Sequence, residues 1–155
     1  MSNEKIKGGR LEWNADDFYR IATSEAEKAM TKAAIYLQGV VRRMVGGIGS
    51  GKIYKRGRKT HQASLPGKPP ARDSGILASS ISYDVKKIKN MVHGHVGAEI
   101  EKIKRNQKTA TTDVNYAAWL ETGTKRGMKK RPYLKPSLIK AKPKIVTIFK
   151  KAFEK

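Results

Sequence analysis

Tyr116-Ala117-Ala118-Trp119-Leu120-Glu121-Thr122-Gly123-Thr124, then a basic spacer, then Arg131-Pro132-Tyr133-Leu134-Lys135-Pro136, is the stretch on which the reading of this chain turns. Its first part crowds two aromatics, a leucine and a lone carboxylate ahead of a Thr-Gly-Thr turn. Its second part sets an aromatic and a leucine between two prolines. Neither part supplies a nucleophile with a base, a metal cluster or a phosphate loop. Glu121 reads as a cap, or as an ion-pair partner for Arg126 or Arg131. Such residues hold elements in place: a short helix over 115–121 that stops at Thr122-Gly123-Thr124, and a last helix starting near Pro136, because proline is tolerated in a first turn. Leu138, Ile139, Ile145, Ile148, Phe149, Ala152 and Phe153 carry that last helix onward. Pro143 lies inside the pattern and should kink or interrupt it.

Working outward, residues 1–12 read as a flexible arm and 13–155 as a single domain. Asn14 can cap a helix whose first turn holds Asp16 and Asp17. Apolar residues then recur at threes and fours from Phe18 to Met44, many of them alanines, until Gly46 and Gly47 stop the helix. Residues 46–72 break all periodicity and read as a long basic loop, of a length that in a compact domain marks a functional or disordered segment. Asp73 and Ser74 can cap a short helix over 75–80. Ile81 to Val85 alternates as a half-buried strand does, Lys89-Asn90 is a turn, and Met91 to Gly97 reads as the returning strand. Residues 99–112 are polar and charged, an exposed hairpin or loop. The fold class that follows is α+β: a long N-terminal helix and a C-terminal helix packed on a small, mostly antiparallel sheet, with the long basic loop between.

The chain has 155 residues, 38% hydrophobic and 7% aromatic, enough for one modest core. It has no cysteine, which excludes disulfides and thiolate metal sites and fits a reducing compartment. The polar start has no apolar signal-peptide core, and no run of about 18 apolar residues exists to span a membrane. Net charge is +21, and it is unevenly placed: +7 over residues 46–72, which hold no acidic residue, and +11 over 122–155, against +2 over 1–45 and +1 over 73–121. The elements expected in the core are nearly neutral. The basic positions Lys52, Lys55, Arg56, Arg58 and Lys59, with Lys125, Arg126, Lys129, Lys130 and Arg131, are candidates to face DNA or an acidic partner. A solvated, lysine-rich surface is the plainer reading of the same charge.

Other candidate chemistry is thin. The glycines at 46–51 resemble a phosphate loop, but no Gly-Lys-Ser/Thr ending follows. His93 and His95, two apart on one strand face, could place two imidazoles on a metal, but His61 is the only other histidine and no carboxylate stands at a suitable spacing. Asp84, Asp113 and Glu121 are scattered, and no Gly-x-Ser-x-Gly elbow is present. Tyr54 between Lys52 and Lys55 suits single-stranded nucleic acid. No enzyme activity and no cofactor are expected.

Four segments in order extend the reading: the alanine-rich first helix; Pro66-Gly67-Lys68-Pro69-Pro70-Ala71-Arg72-Asp73-Ser74-Gly75-Ile76-Leu77 running to Ser80-Ile81; Val96-Gly97 followed by the box at 116–124; and Arg131-Pro132-Tyr133-Leu134-Lys135-Pro136-Ser137-Leu138. Together they resemble the head–tail joining, or tail-completion, proteins of long-tailed bacteriophages and prophages, over residues 15–155. The motif positions carrying the resemblance are Pro69, Pro70, Ser74, Gly75, Leu77, Ile81, Tyr116, Trp119, Glu121, Gly123, Thr124, Pro132, Tyr133, Leu134 and Pro136. Pro143 and the lysine-rich last helix depart from the pattern.

The resemblance implies a structural virion protein, assembled in the bacterial host cytoplasm. It would form a homo-oligomeric ring, expected to be a hexamer, where the neck meets the tail tube around the genome's path. Its partners would be a head-completion or connector protein and the tail tube or its terminator, with non-specific contact to double-stranded DNA and none with membranes. Gly75 and Gly123 would permit tight junctions, Tyr116, Trp119, Tyr133 and Leu134 would lock the two later helices to the sheet, and neighbouring subunits would order loop 46–72. The alternative is a stand-alone basic nucleic-acid-binding protein.

Overall fold

A computed structural model describes residues 15–99, 116–125 and 127–154, with the backbone alone at residues 15–18 and Arg56. The expected arm over 1–12, the cap at Asn14, the polar segment over 100–112, Asp113 and Arg126 lie outside the described residues. The fold is α+β. In chain order the elements are α1 (Ala15–Met44), β1 (Ile53–Arg56), β2 (Lys59–Gln62), α2 (Ile76–Ser80), β3 (Ile81–Ile88), β4 (Met91–Ala98), α3 (Tyr116–Thr122) and α4 (Leu134–Phe153). The strands form two separate antiparallel ribbons, β1 with β2 and β3 with β4.

Helix α1 is the spine. Its buried face is Ala29, Ala33, Ala34, Val40 and Val41, continued by Val45 just past its end. That spacing puts one stripe against α4 and against the β3–β4 ribbon. On α4 the fully buried residues are Ser137 and Ala141, one turn apart, and their small side chains let the long helices approach closely. The core gathers Val41, Val45, Ile81, Leu120 and Tyr133, with Leu37, Leu77, Val96 and Leu134 packed around it. Each large apolar side chain buried there contributes about 2 kcal/mol.

Polar contacts tie α1 to the start of β3. Gln38 and Arg42, one turn apart, both donate to the carbonyl of Ile81, at 2.9 and 2.8 Å. Ile81 itself is fully buried. The β3–β4 ribbon runs in register from Ile81 opposite Ala98 to Ile88 opposite Met91, so Lys89-Asn90 is the two-residue turn, with Lys89 at a positive φ of 54°.

Three expectations are corrected. The stretch 46–72 is not a loop throughout: it holds the β1–β2 hairpin, with Tyr54 opposite His61 and Arg56 opposite Lys59. Gly51 and Lys52 extend the ladder through Ala63 at 2.7 and 3.0 Å, and a Cβ at Gly49 would fall 1.8 Å from the Gln62 carbonyl oxygen. The glycines therefore serve close approach of two strands. An Arg72 amide to Gly47 carbonyl bond of 2.9 Å closes the base of the excursion. Second, the helix begins at Ile76 and not at Gly75, which precedes it at φ 79°; the Ser74 hydroxyl accepts the Ile76 amide at a long 3.4 Å, as expected, while Asp73 faces His61. Third, Pro143 does not interrupt α4, which continues to Phe153. Proline there leaves the Ile139 carbonyl without its usual donor, and Ile139 is exposed, so water can supply one.

Pro143→Ala restores that hydrogen bond and should stabilise the protein by about 1–3 kcal/mol. Urea unfolding reads this as a higher midpoint at unchanged slope; an unchanged or lower midpoint would mean that α4 is not continuous through residue 143.

Candidate functional site

The box at 116–124 and the segment at 131–136 meet through one side chain. The Glu121 carboxylate accepts the backbone N–H of Tyr133 at 2.8 Å and of Leu134 at 3.0 Å through Oε2, and of Lys135 at 3.1 Å through Oε1. A helix start leaves its first N–H groups unpaired. Here Glu121 takes three of them, Pro136 has none to offer, and the Ser137 amide makes the first bond inside the helix, to Tyr133 at 3.2 Å. The carboxylate also sits where the helix dipole is positive. Glu121 is thus a cap supplied to α4 from α3, twelve residues earlier.

The same segments lock back to back. The Arg131 amide caps α3 by donating to the Leu120 carbonyl at 2.6 Å, and the Gly123 amide bonds Trp119 at 2.7 Å. Gly123 adopts φ 81°, and a Cβ there would lie 2.9 Å from the Met128 carbonyl oxygen. Thr124 closes the turn twice, its amide donating to Met128 at 3.0 Å and its hydroxyl accepting from Met128 at 3.2 Å. Tyr133 is 1% exposed, and its hydroxyl donates to the Ala117 carbonyl at 3.3 Å. Burial, helped by the Glu121 charge and then by Tyr116, pushes the Tyr133 phenol from 10.0 up to about 12.

The other motif residues divide. Leu77, Ile81, Tyr133 and Leu134 belong to the core or its margin. Pro70 is buried, while Pro69, Trp119 and Pro132 are half-buried. Tyr116 stays 40% exposed and borders a cleft instead of locking α3 to the sheet. Leu120, between Trp119 and Glu121, holds the core position. Arg131 does not pair with Glu121: its Nε donates to the Ser64 carbonyl at 3.1 Å, and the Gly67 amide donates to the Lys130 carbonyl at 2.9 Å. The strap 63–68 is thereby fastened to the turn after α3.

The cleft of about 420 Å³ lies between the β1–β2 hairpin and the approach to α2, bordered by Val45, Lys59, His61, Arg72, Leu77 and Tyr116. His61 Nδ1 stands 3.8 Å from Asp73 Oδ1. Ser74 also borders the cleft, but no hydrogen bond joins its hydroxyl to His61 among the described residues, so the three do not form a nucleophile relay. His93 and His95 alternate with Gly94 along β4, opposite Lys86 and Asp84. Among the described residues no group of three or more His, Asp or Glu side chains is placed to hold a metal, and no helix is long and apolar enough to cross a membrane.

Compared with known proteins, the chain matches no family model, no curated sequence and no solved structure.

Glu121→Ala should destabilise the fold by about 2–4 kcal/mol, since three backbone donors lose a charged acceptor, and Glu121→Gln by less, because one carbonyl oxygen remains. Gly123→Ala should cost more than about 1 kcal/mol. Chemical denaturation checks both, and equal effects of Ala and Gln at 121 would refute the cap. For Tyr133 the folded state holds the phenolic proton more tightly than the unfolded state, so its contribution is intact below pH 10 and lost as pH rises to about 12. Tyr133→Phe should therefore lose less stability than the parent between those two pH values.

Proposed function

We propose that this chain is a structural virion protein of a phage or prophage neck or tail, one that builds a ring joining the head connector to the tail tube around the DNA path. What supports the reading first is that its most conspicuous carboxylate is committed to backbone N–H groups of α4, so the motif residues around it serve packing. The single observation that carries self-association is apolar surface left uncovered. Ile139, Val146 and Phe153 recur every seven residues on α4 and are 64%, 45% and 54% exposed. Residues seven apart share one helix face. Ile48, on the excursion after α1, is 97% exposed, and Ile53 and Leu65 on the same excursion are 58% and 47% exposed.

An exposed stripe of this kind is covered by a second copy in a closed assembly, where each subunit offers one surface to a different surface of the next. Ile48 and Leu65, outside the β1–β2 hairpin, and the outer face of α4 are the two surfaces in this reading. The ordered motifs at 66–81, 116–124 and 131–138 point to the neck family, with a connector protein on one side and the tail tube or its terminator on the other. The reading assigns no substrate and no turnover.

Light scattering and electron microscopy of the purified protein should give rings of one uniform size. Ile139→Lys with Val146→Lys should leave circular dichroism unchanged and release monomers. A parent protein that stays monomeric at every concentration tried, or a double variant that still forms rings, would refute the reading.

A further inference from the structure

Two basic segments that lie far apart in the sequence are adjacent in space. Residues 46–72 are joined to the turn after α3 by the Arg131 Nε bond to the Ser64 carbonyl, 3.1 Å, and by the Gly67 amide bond to the Lys130 carbonyl, 2.9 Å. Both contacts use backbone atoms, so they place the segments without consuming the lysines. Lys52, Lys55, Arg58, Lys59 and Lys68 on one segment, and Lys125, Lys129 and Lys130 on the other, are all exposed. No acidic residue occurs in 46–72 or in 122–153. Among the described residues none of these eight cations is paired with a carboxylate.

We propose that the β1–β2 hairpin and the turn over 124–131 form one composite face that binds the phosphate backbone of double-stranded DNA without reading its sequence. The ribbon's geometry suits this. The register puts Lys55 on one face with Thr60, and Lys52 and Lys59 on the other with Tyr54 and His61, while Arg58 stands at the tip beside Gly57. A two-stranded ribbon fits the major groove, about 12 Å wide, where its exposed cations meet phosphates of the groove walls. Seven of the eight side chains are lysines, which meet phosphate as point charges and lack the planar fork that arginine uses on a base edge or a carboxylate. Lysine is also depleted from protein–protein interface cores, which favours DNA over an acidic protein surface. Arg131 is a positioning residue here, since its guanidinium is engaged with Ser64.

The inference deepens the ring reading, and rests on it for taking duplex DNA as the ligand, by naming the surface that meets the genome. Fluorescence anisotropy with labelled duplexes, read across a salt series, tests it. The parent should bind A·T-rich and G·C-rich duplexes alike, with the logarithm of the affinity falling steeply against the logarithm of salt, by roughly 0.9 per phosphate contacted. The triple variant Lys55→Gln, Arg58→Gln, Lys59→Gln and the triple variant Lys125→Gln, Lys129→Gln, Lys130→Gln should each flatten that slope by about 2–3. Lys86→Gln, Lys87→Gln, Lys89→Gln removes the same charge from the far ribbon and should leave the slope unchanged. An equal effect of all three variants, no effect of the turn variant, or binding to polyglutamate but not to duplex would each overturn the proposal. Rings that do not bind duplex would overturn this inference alone; duplex binding by a strict monomer would overturn the ring reading alone.

Discussion

Everything after residue 115 hangs on the Glu121 carboxylate and the three amides it accepts. A helix of 20 residues begins at Leu134 with a proline at its third position and no capping side chain of its own. Without Glu121 its first turn would present unpaired donors beside a buried tyrosine, which is costly away from water. With it, α4 is aimed along α1, and Tyr133 enters the core with Val41, Val45, Ile81 and Leu120. The reciprocal bond, Arg131 amide to Leu120 carbonyl, caps α3 from α4's side. Two elements too short or too poorly capped to stand alone thus complete each other. The positive φ of Gly123 is what lets the chain turn between them.

That clamp also explains how a chain of net charge +21 keeps a stable core. The buried set is small and neutral, built on alanines and valines of α1. Cations take mostly exposed positions, densest on the hairpin, the turn and α4, and the Arg131 guanidinium bond to Ser64, with backbone bonds at Lys130 and Arg72, fastens the excursion to its neighbours. Charge repulsion in such an arrangement falls on exposed segments, where water and salt screen it. Ile53 and Leu65 on the excursion and Ile139, Val146 and Phe153 on α4 stay uncovered beside those cations, as do Ile21 and Ile35 on α1 and Ile88 and Met91 at the end of the β3–β4 ribbon.

Much of this was legible in the residues and some was not. The long helix, the Ile81-to-Ala98 ribbon and the Lys89-Asn90 turn follow from period and turn chemistry, because buried stripes impose their spacing on the sequence. Glu121 could be read as a cap because it stands alone among neutral residues before a glycine. The β1–β2 hairpin was hidden: its strands are four residues each, mostly exposed, and so carry no alternation of apolar and polar side chains. Its marks were the glycines at 49 and 51, which resemble a phosphate loop as much as a strand crossing. Pro143 misled because helix interruption is the usual effect of proline, and tolerance depends on an exposed carbonyl that no sequence displays. The joining of 63–68 to 130–131 is accepted by the carbonyls of Ser64 and Lys130, and a carbonyl acceptor leaves no signature in residue type.

The central claim, that Glu121 supplies the missing partners of α4's first turn, is tested most directly by amide hydrogen exchange at Tyr133, Leu134 and Lys135. Unpaired amides at a helix start exchange fast, whereas these three should be protected in the parent to a degree comparable with the helix interior, and should lose that protection together in Glu121→Ala while amides of α1 keep theirs. Fast exchange at the three positions in the parent, or protection that survives the loss of the carboxylate, would contradict it.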